Sequence, residues 1–342
     1  MRAIVKSEGG PGHVALHEGW PEPELRPGWV VADVLACGVC GTDIHILNDK
    51  FRTYPPVVMG HEYVVRIVHL GEGVDGWAVG DRVVCEQHVS ACGHCDVCRR
   101  GMIQLCREKR PPGGGIDGAF ADKVALPASL LHRVPDTVSD EQAALTEPAA
   151  ICLTAIDRGE VRPGELAVVI GPGAVGLMTS LMLRSAGLDV VLVGRQSSAA
   201  RLDLARSLGI EVCLDDPVEL CERLATKSPR RGADVAFEAS GSEQGLDLAI
   251  DATRRAGRVV CMGIVGGEKI LVRADEAMYR NLDLRFSNSS EYSTWDRALA
   301  LLASGAVDPS PLITSYPLES WQQAFHDLGS RRIVKAVLKP QP

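Results

Sequence analysis

The apolar residues of this chain follow two different patterns along its 342 positions. From residue 1 to about residue 150, short β-rich runs are interrupted by glycine and proline, which is typical of irregular β structure. The clearest of these runs are residues 30–35, 64–70, 82–85 and 120–126. The N-terminal part of the chain is therefore predicted to be an irregular β domain.

From about residue 160 onward, apolar strands alternate with segments of helical period. The predicted strands are residues 166–170, 190–193, 212–214, 234–238 and 258–262. The predicted helices end at residues 186 and 208, and a third lies at about residues 245–253. This alternation predicts an α/β fold with a parallel, doubly wound sheet.

The last part of the chain departs from this alternation, with a strand at 284–287, a helix at 294–303 and a last strand at 334–338. We assign this tail to the first domain. Two domains are expected in any case, because the chain exceeds the size at which a single hydrophobic core stops growing. The predicted domains are residues 1–150 with 285–342, and residues 151–284.

Composition and charge narrow the class of protein. The net charge of -8 and the absence of a long Lys/Arg run oppose nucleic-acid binding. The N-terminus shows no signal-peptide pattern, and no uncharged apolar run reaches 18 residues. We therefore expect a cytoplasmic protein with neither a nucleic acid nor a membrane as partner.

Four of the eleven cysteines lie close together, and in a chain without a secretion signal such clusters indicate metal binding before disulfides. Four thiolates this close can complete a tetrahedral zinc shell, which leaves no position for substrate and is therefore structural. Unpaired loop cysteines and an iron–sulfur cluster are the alternatives. The predicted ligands of the structural zinc are Cys92, Cys95, Cys98 and Cys106.

Four further cysteines have no ligand spacing and are predicted to be buried free thiols that pack as small apolar side chains. These are Cys152, Cys213, Cys221 and Cys261.

A second set of metal-binding residue types is scattered along the first half of the chain: Cys40, then His61 and Glu62 after Gly60, and later Glu147 before a proline. Each of these residues alone is weak evidence for a metal site, and their occurrence together makes the prediction stronger. In this order the segments resemble the medium-chain zinc dehydrogenase superfamily, over essentially the whole chain. The closest likeness is to its polyol and threonine dehydrogenase branch.

The resemblance implies a GroES-like catalytic domain with a catalytic zinc, so that each chain holds two zinc ions. It makes Cys40, His61 and Glu147 ligands, with Glu62 either a direct ligand or one that exchanges with water or substrate. Other branches have a cysteine at the Glu147 position. Catalytic zinc needs about three protein ligands and an open position for the alcohol oxygen. Cys37 is interpreted as a buried thiol.

Three residues near Cys40 match further roles of the family. Asp43 resembles the acid that orients the histidine ligand, and its alternative is a turn residue. Thr42 and His45 match a proton relay, in which the hydroxyl takes the alcohol proton and the imidazole passes it towards solvent. A surface His45 without a role is the alternative.

A glycine-rich segment follows the predicted strand at 166–170 and precedes an apolar helix. Its glycines allow a tight turn, and the backbone amides at the helix start receive a pyrophosphate. A strand before and a helix after make this otherwise weak motif informative. The predicted Rossmann cofactor-binding residues here are Gly171, Gly173, Ala174, Val175 and Gly176.

The second strand of this domain ends without the acid that binds the adenosine ribose in NAD enzymes. Arg195 and Gln196 stand there instead, and an arginine suits a 2′-phosphate. NADP is therefore favoured over NAD. The alternative is that Arg195 is a solvated surface charge and that Gln196 binds the ribose hydroxyls of NAD. The later strand ends, with Ser240 and Gly263, resemble those near the nicotinamide half.

Together these features predict a zinc-dependent oxidoreductase that transfers a hydride between a hydrophilic secondary alcohol, such as a sugar, polyol or cyclitol, and NAD(P). Threonine or another amino alcohol is the alternative substrate. A zinc-free quinone-reductase-like enzyme and a non-enzymatic binding protein are the rival classes, and both predict eroded metal ligands. Family likeness further implies a homodimer or homotetramer with a small-molecule substrate.

Overall fold

The computed structural model describes residues 1–229, 232–266 and 269–340. The strands in these ranges are β1 (Ala3–Lys6), β2 (Val14–His17), β3 (Trp29–Val39), β4 (Val57–Val58), β5 (Glu62–Leu70), β6 (Arg82–Cys85), β7 (Lys123–Pro127), β8 (Leu131–Arg133), β9 (Leu166–Ile170), β10 (Asp189–Gly194), β11 (Glu211–Leu214), β12 (Ala233–Glu238), β13 (Thr253–Cys261), β14 (Asp283–Phe286), β15 (Ile313–Pro317) and β16 (Lys335–Lys339). The α-helices are α1 (Gly41–Leu47), α2 (Asp96–Arg99), α3 (Asp140–Ala144), α4 (Thr146–Gly159), α5 (Ala174–Ser185), α6 (Ala199–Ser207), α7 (Pro217–Lys227), α8 (Glu243–Ala252), α9 (Ala274–Tyr279), α10 (Tyr292–Ala303) and α11 (Trp321–Gly329).

The chain divides into two compact units. The first comprises Met1–Glu147 and Ser290–Pro342, and the second comprises Pro148–Ser289. In the described residues no helix combines the length and apolarity needed to cross a membrane.

The first unit is built on a mixed β-sheet in which β3 is the central strand. The described strands follow the order β15-β16-β3-β5-β6-β8, and β7 also pairs with β3. Eight of the eleven residues of β3 are buried, and the three less buried ones, Trp29, Asp33 and Leu35, share one face, so the other face of the strand is completely covered. Its core side chains pack with those of β5 and α11, among them Val34, Val65 and Phe325.

Two strands flank β3 near its end and bring distant parts of the chain together. Gly38 of β3 pairs with Glu62 of β5 on one side and with Val337 of β16 on the other. The last strand of the chain therefore lies beside the segments that carry the predicted ligands Cys40 and His61.

The second unit contains a parallel sheet whose described strands have the order β11-β10-β9-β12-β13-β14. All neighbouring pairs in it are parallel. The first strand, β9, is buried at every position, as expected for a strand with helices on both faces. This order is that of a doubly wound dinucleotide-binding sheet, so the predicted fold class is confirmed.

Two local predictions were wrong, and one helix was missed. The strand predicted at 284–287 was assigned with the tail to the first domain, but β14 pairs in parallel with β13. Its half-exposed residues are typical of an edge strand and do not resemble the buried strands before it. The strand predicted from Phe120 begins only at Lys123. Helix α7 was not predicted, although its N-cap Asp216 and the proline that follows it are a helix-start signal.

The prediction that Cys221 is buried was also wrong, because this thiol is exposed. Helix α7 turns Leu220 and Leu224 to the core, and Cys221 lies one residue further around the helix. Cys152, Cys213 and Cys261 are buried as predicted.

Candidate functional site

Cys40 lies at the junction where β3 ends and α1 begins. It occupies the N-cap position of α1, with an extended backbone. Its backbone N–H donates a hydrogen bond to Oδ2 of Asp43 at 2.8 Å, and its Sγ lies 3.5 Å from Oγ1 of Thr42. The turn therefore fixes the thiol beside a carboxylate and a hydroxyl.

His61 is placed beside this turn by the residues that precede β5. Gly60 has a positive φ of 91°, and a Cβ at this position would lie 2.6 Å from the Phe120 ring, so only glycine fits. The Nδ1 atom of His61 lies 3.5 Å from Oδ1 of Asp43. Burial opposes a charged ring, but Asp43 and Cys40 outweigh it and raise the pKa of His61 well above its ordinary value.

The structure brings three of the predicted catalytic-zinc ligands into one compact group. Candidate ligand atoms of Cys40, His61 and Glu62 all lie within 4.8 Å of one another. A thiol, an imidazole and a carboxylate are the ligand types that zinc accepts in sites with an open position. Asp43 contacts both the Cys40 backbone and the His61 ring, which is the arrangement that orients a histidine ligand.

Glu147 lies in the first turn of α4 and is 5% exposed. Burial and the charge of Glu62 raise its pKa to about 8, although His61 and Lys335 act in the opposite direction. Among the described residues, the group that closes within 4.8 Å does not include Glu147. The Glu147 carboxylate is therefore close enough to interact electrostatically with Glu62 and His61, but it is not part of the group whose ligand atoms lie within 4.8 Å of one another.

Lys335 is a site residue that the sequence reasoning missed. This lysine of β16 is only 3% exposed and forms an ion pair with Glu62. Burial opposes its charge, but Glu62 and Cys40 raise the pKa of Lys335. The available signal was a lysine inside the otherwise apolar strand predicted at residues 334–338, because lysine is rarely buried without a partner.

Thr42 and His45 both lie on α1, three residues apart and therefore on one face of the helix. Thr42 contacts the Cys40 thiol, and His45 is partly exposed. This order from the compact group towards solvent is compatible with the predicted proton relay.

The cysteine loop folds around its own thiols. The Sγ atoms of its four predicted ligands lie within 4.8 Å of one another. The Cys92 backbone N–H donates to Sγ of Cys106 at 3.4 Å and lowers the pKa of Cys106 to about 6, whereas burial raises the pKa of Cys98 to about 12. Four converging sulfur atoms with one stabilised as thiolate fit a saturated zinc shell.

A separate buried cluster in the first unit was not predicted from the sequence. The His132 ring lies between Glu86, with Nε2 at 3.4 Å from Oε1, and Asp296, with Nδ1 at 2.7 Å from Oδ1. Its ring stacks on Trp295 with 5.7 Å between centroids. Burial opposes its charge, but Glu86 and Asp296 raise the pKa of His132. His88 contacts the same Glu86 carboxylate.

In the second unit, the glycine-rich segment forms the turn between β9 and α5. Gly171 has a φ of 106°, and a Cβ there would lie 3.0 Å from the Ser240 nitrogen. A Cβ at Gly176 would lie 1.9 Å from the Gly171 carbonyl oxygen, so α5 packs closely on the turn. Nothing lies within 4 Å of a Cβ at Gly173, which is the N-cap of α5 and makes no side-chain cap. The first-turn N–H groups are thus available to a phosphate.

The end of β10 carries Arg195 and Gln196 as predicted, but the structure adds an acid beside them. Nε of Arg195 lies 3.4 Å from Oδ2 of Asp215, which follows β11, and both side chains are about half exposed. Asp215 was not predicted, because it follows the third strand of the sheet and is distant in sequence from Arg195.

The predicted residues at the later strand ends are also close together. The buried Glu238 accepts hydrogen bonds from the N–H groups of Ser240 at 2.7 Å and Gly241 at 3.0 Å. A Cβ at Gly263 would lie 2.2 Å from the Gly241 nitrogen. Burial raises the pKa of Glu238, whereas its hydrogen bonds to the turn lower it. The Gly263 N–H donates to the backbone carbonyl of Glu238 at 2.9 Å, so Ser240 and Gly263 lie on neighbouring turns that are both hydrogen-bonded to Glu238.

Comparison with known proteins gives matches over most of the chain. Residues 26–136 match the alcohol dehydrogenase GroES-like domain, and residues 174–304 match the zinc-binding dehydrogenase family. A sorbitol dehydrogenase of Halalkalibacterium halodurans is 35% identical, covering 99% of each chain. An L-threonine 3-dehydrogenase of Shewanella putrefaciens is 32% identical over 93% of this chain and 94% of its own.

The fold is similarly matched by solved structures. One of these is a structure described as a zinc-binding dehydrogenase of Sinorhizobium meliloti bound to NADP. It has a TM-score of 0.88, is 28% identical and covers 99% of both chains.

Proposed function

This chain belongs to the medium-chain zinc-dependent alcohol dehydrogenases, and we propose that within this family it transfers a hydride between a hydrophilic secondary alcohol and NADP. The observation that carries the proposal is the compact group of Cys40, His61 and Glu62 with the buried Glu147 beside it. In a zinc-free or non-enzymatic relative these ligands have no reason to stay together.

Two zinc ions are proposed for each chain. Cys40 and His61, with a carboxylate from Glu62 or Glu147, would hold one, and the cysteine loop would hold the other. When bound at the first place, zinc supplies Lewis-acid polarisation of the alcohol hydroxyl. Asp43 holds the His61 ring and the Cys40 backbone in position for this.

Proton movement is assigned to α1. Thr42 contacts the Cys40 thiol and would accept the hydroxyl proton of the alcohol, and the partly exposed His45 would pass it to solvent. When bound, NADP would supply the nicotinamide that accepts the hydride from the substrate carbon, and the proton freed as the alcohol becomes a carbonyl would leave through Thr42 and His45.

The cofactor is proposed to bind on the second unit, with its pyrophosphate at the open N-terminus of α5 near Gly173. NADP is favoured because Gln196 stands where NAD enzymes have an acid, and because the half-exposed Arg195 can bind a 2′-phosphate. The relative from Sinorhizobium meliloti, which was solved with NADP, supports the same choice.

A polyol, sugar or cyclitol is the proposed substrate class. The sorbitol dehydrogenase relative supports it, and the threonine dehydrogenase relative makes an amino alcohol the second candidate. Kinetic assays with a panel of sugars, polyols and amino alcohols, each with NADP and NAD, test the proposal. Turnover of polyols with NADP is expected. Reduction of a quinone by NADPH, without turnover of any alcohol in the panel, would contradict the proposal.

The metal part of the proposal has its own test. Metal analysis should find two zinc ions per chain in the wild type and one in the Cys40→Ser variant, which should bind NADP but show no turnover. If Cys40→Ser retained both ions and wild-type activity, the assignment of this site would fail.

A second copy of the chain is the proposed macromolecular partner. Among the described strands β14 is the last in the order of its sheet, so its outer edge can pair with another strand, and Phe286 at its end is 67% exposed. Met278 and Tyr279 of the preceding α9 are also exposed. Analytical ultracentrifugation should show a homo-oligomer, and Phe286→Asp should shift it towards the monomer.

A further inference from the structure

The ion pair between Lys335 and Glu62 passes across the central strand of the first unit. Strands β16 and β5 lie on opposite sides of β3, and both pair with it at Gly38. A Cβ at Gly38 would lie 2.3 Å from Oε2 of Glu62 and 3.1 Å from Cε of Lys335. The absence of a side chain at Gly38 is therefore what lets the two side chains meet.

Both members of the pair are removed from water, with Lys335 3% and Glu62 1% exposed. A buried ammonium or carboxylate without a partner is very unfavourable, so each strongly needs the other. Lys335 contacts Oε2 of Glu62. The carboxylate that belongs to the compact metal-binding group is thus already engaged through one of its two oxygen atoms.

We propose that Lys335 is a positioning residue that competes with the metal for the Glu62 carboxylate and so keeps one coordination position open for the alcohol. This inference rests on the proposed function, because it requires a metal at Cys40 and His61. This role explains why the positively charged Lys335 lies beside a site that would bind a metal cation. Lys335 is the basic side chain that the structure pairs with Glu62, and without its ammonium the Glu62 carboxylate would be free to bind the metal permanently.

A purely structural ion pair is the alternative, and β16 supplies the matched control. Lys339 on the same strand pairs with Glu141 at 2.8 Å, and both side chains are about one-third exposed. Lys339→Met removes a lysine and an ion pair from the same strand without touching the metal-binding group.

The test uses cobalt-substituted enzyme and four variants of a double-mutant cycle, which are wild type, Lys335→Met, Glu62→Gln and the double variant. Two quantities are measured. The first is the visible d–d absorption, from which the spectrum of Cys40→Ser is subtracted so that only the cobalt at Cys40 and His61 contributes. The second is the rate of metal release to a chelator. Lys335→Met should show weaker d–d absorption, as expected for an additional ligand. It should also release the metal about tenfold more slowly, the lower end of the usual effect of residues behind metal ligands.

The other members of the cycle assign the effect to Glu62. Glu62→Gln should keep the wild-type spectrum, and the double variant should match Glu62→Gln in spectrum and release rate. Lys335→Arg should restore wild-type behaviour, because it retains the charge, and Lys339→Met should behave as wild type. Thermal unfolding of each variant separates these effects from loss of fold.

Three results would overturn the inference. If metal release were slowed equally in Lys335→Met and in the double variant, the effect would come from simple repulsion between the Lys335 ammonium and the metal and not from Glu62. An altered spectrum of Glu62→Gln would show that Glu62 is a permanent ligand. The spectrum of Glu62→Gln still tests the inference if Lys335→Met does not fold. Unchanged spectrum and release in folded Lys335→Met would show a structural pair. Failure of the proposed function looks different, because wild type would then carry no metal that depends on Cys40.

Discussion

Nε of Arg195 lies 3.4 Å from Oδ2 of Asp215, so the arginine that marks the end of the second parallel strand shares its charge with an acid from the third. A 2′-phosphate must compete with this carboxylate for the guanidinium. We therefore expect cofactor choice to depend on both residues.

We expect Asp215→Asn to raise the ratio of kcat/KM for NADP to that for NAD, because it removes the competing negative charge. Arg195→Gln should lower the ratio about 10- to 100-fold, the usual effect of a lost charge-assisted hydrogen bond. Steady-state kinetics with NADP and with NAD give this ratio for each variant. Arg206→Gln, which removes an exposed arginine from the neighbouring α6, is the control. An unchanged ratio in Arg195→Gln would refute the role of this arginine.

Asp43→Asn should weaken zinc binding at Cys40 and His61 by about 10- to 100-fold, because the carboxylate behind a histidine ligand fixes its ring and strengthens it as a ligand. Competition with a chelator measures the affinity. Asp49→Asn, just beyond the end of α1, should leave it unchanged. Equal zinc affinity in both variants would rule out the proposed role of Asp43.

Cys92→Ser should remove the zinc of the cysteine loop and lower the thermal unfolding midpoint by about 5 to 10 °C, because a structural zinc contributes directly to folding free energy. Calorimetry and metal analysis measure the two effects. Cys221→Ser, which changes an exposed thiol outside the loop, should alter neither. A loop variant with both metals and an unchanged midpoint would contradict the assignment.

His132 should make the free energy of unfolding depend on pH. Its pKa is raised in the folded protein, so the folded chain binds this proton more tightly than the unfolded chain, in which histidine has a pKa of about 6.5. The stabilisation is therefore complete below about pH 6.5 and is lost as the pH rises through the raised pKa.

Denaturant unfolding of wild type and His132→Gln across this range tests the prediction. The difference in unfolding free energy between them should shrink as the pH rises. Asp296→Asn should reduce the pH dependence only slightly, because the Asp296 side chain is 62% exposed. A difference that grows with pH would contradict the sign.

Two glycines of the cofactor turn should respond differently to alanine. Gly176→Ala should destabilise the second unit, because its Cβ would lie 1.9 Å from the Gly171 carbonyl oxygen. Gly173→Ala should leave the unfolding midpoint nearly unchanged, because nothing lies within 4 Å of its Cβ, but it should weaken NADP binding where the pyrophosphate approaches. Thermal unfolding and cofactor titration separate the two effects, and equal effects of both variants would contradict the proposal.

Local patterns of the sequence determined a large part of this protein. The strand at Leu166–Ile170 and the glycine turn after it were predicted with their bounds, because they depend on contiguous residues and on the backbone freedom of glycine. The cysteine loop was equally readable, since its candidate ligands are close in sequence and the structure brings their sulfur atoms together.

Only the tertiary structure decided which distant charges meet. Lys335 reaches Glu62 across Gly38, Asp215 reaches Arg195 from the neighbouring strand, and both contacts join residues that no local pattern relates. Periodicity records which face of an element is buried, but it carries no information on which strands become neighbours. The sequence therefore determined the kinds of chemistry present, and the packing of strands decided which charge each candidate ligand and cofactor residue has as its partner.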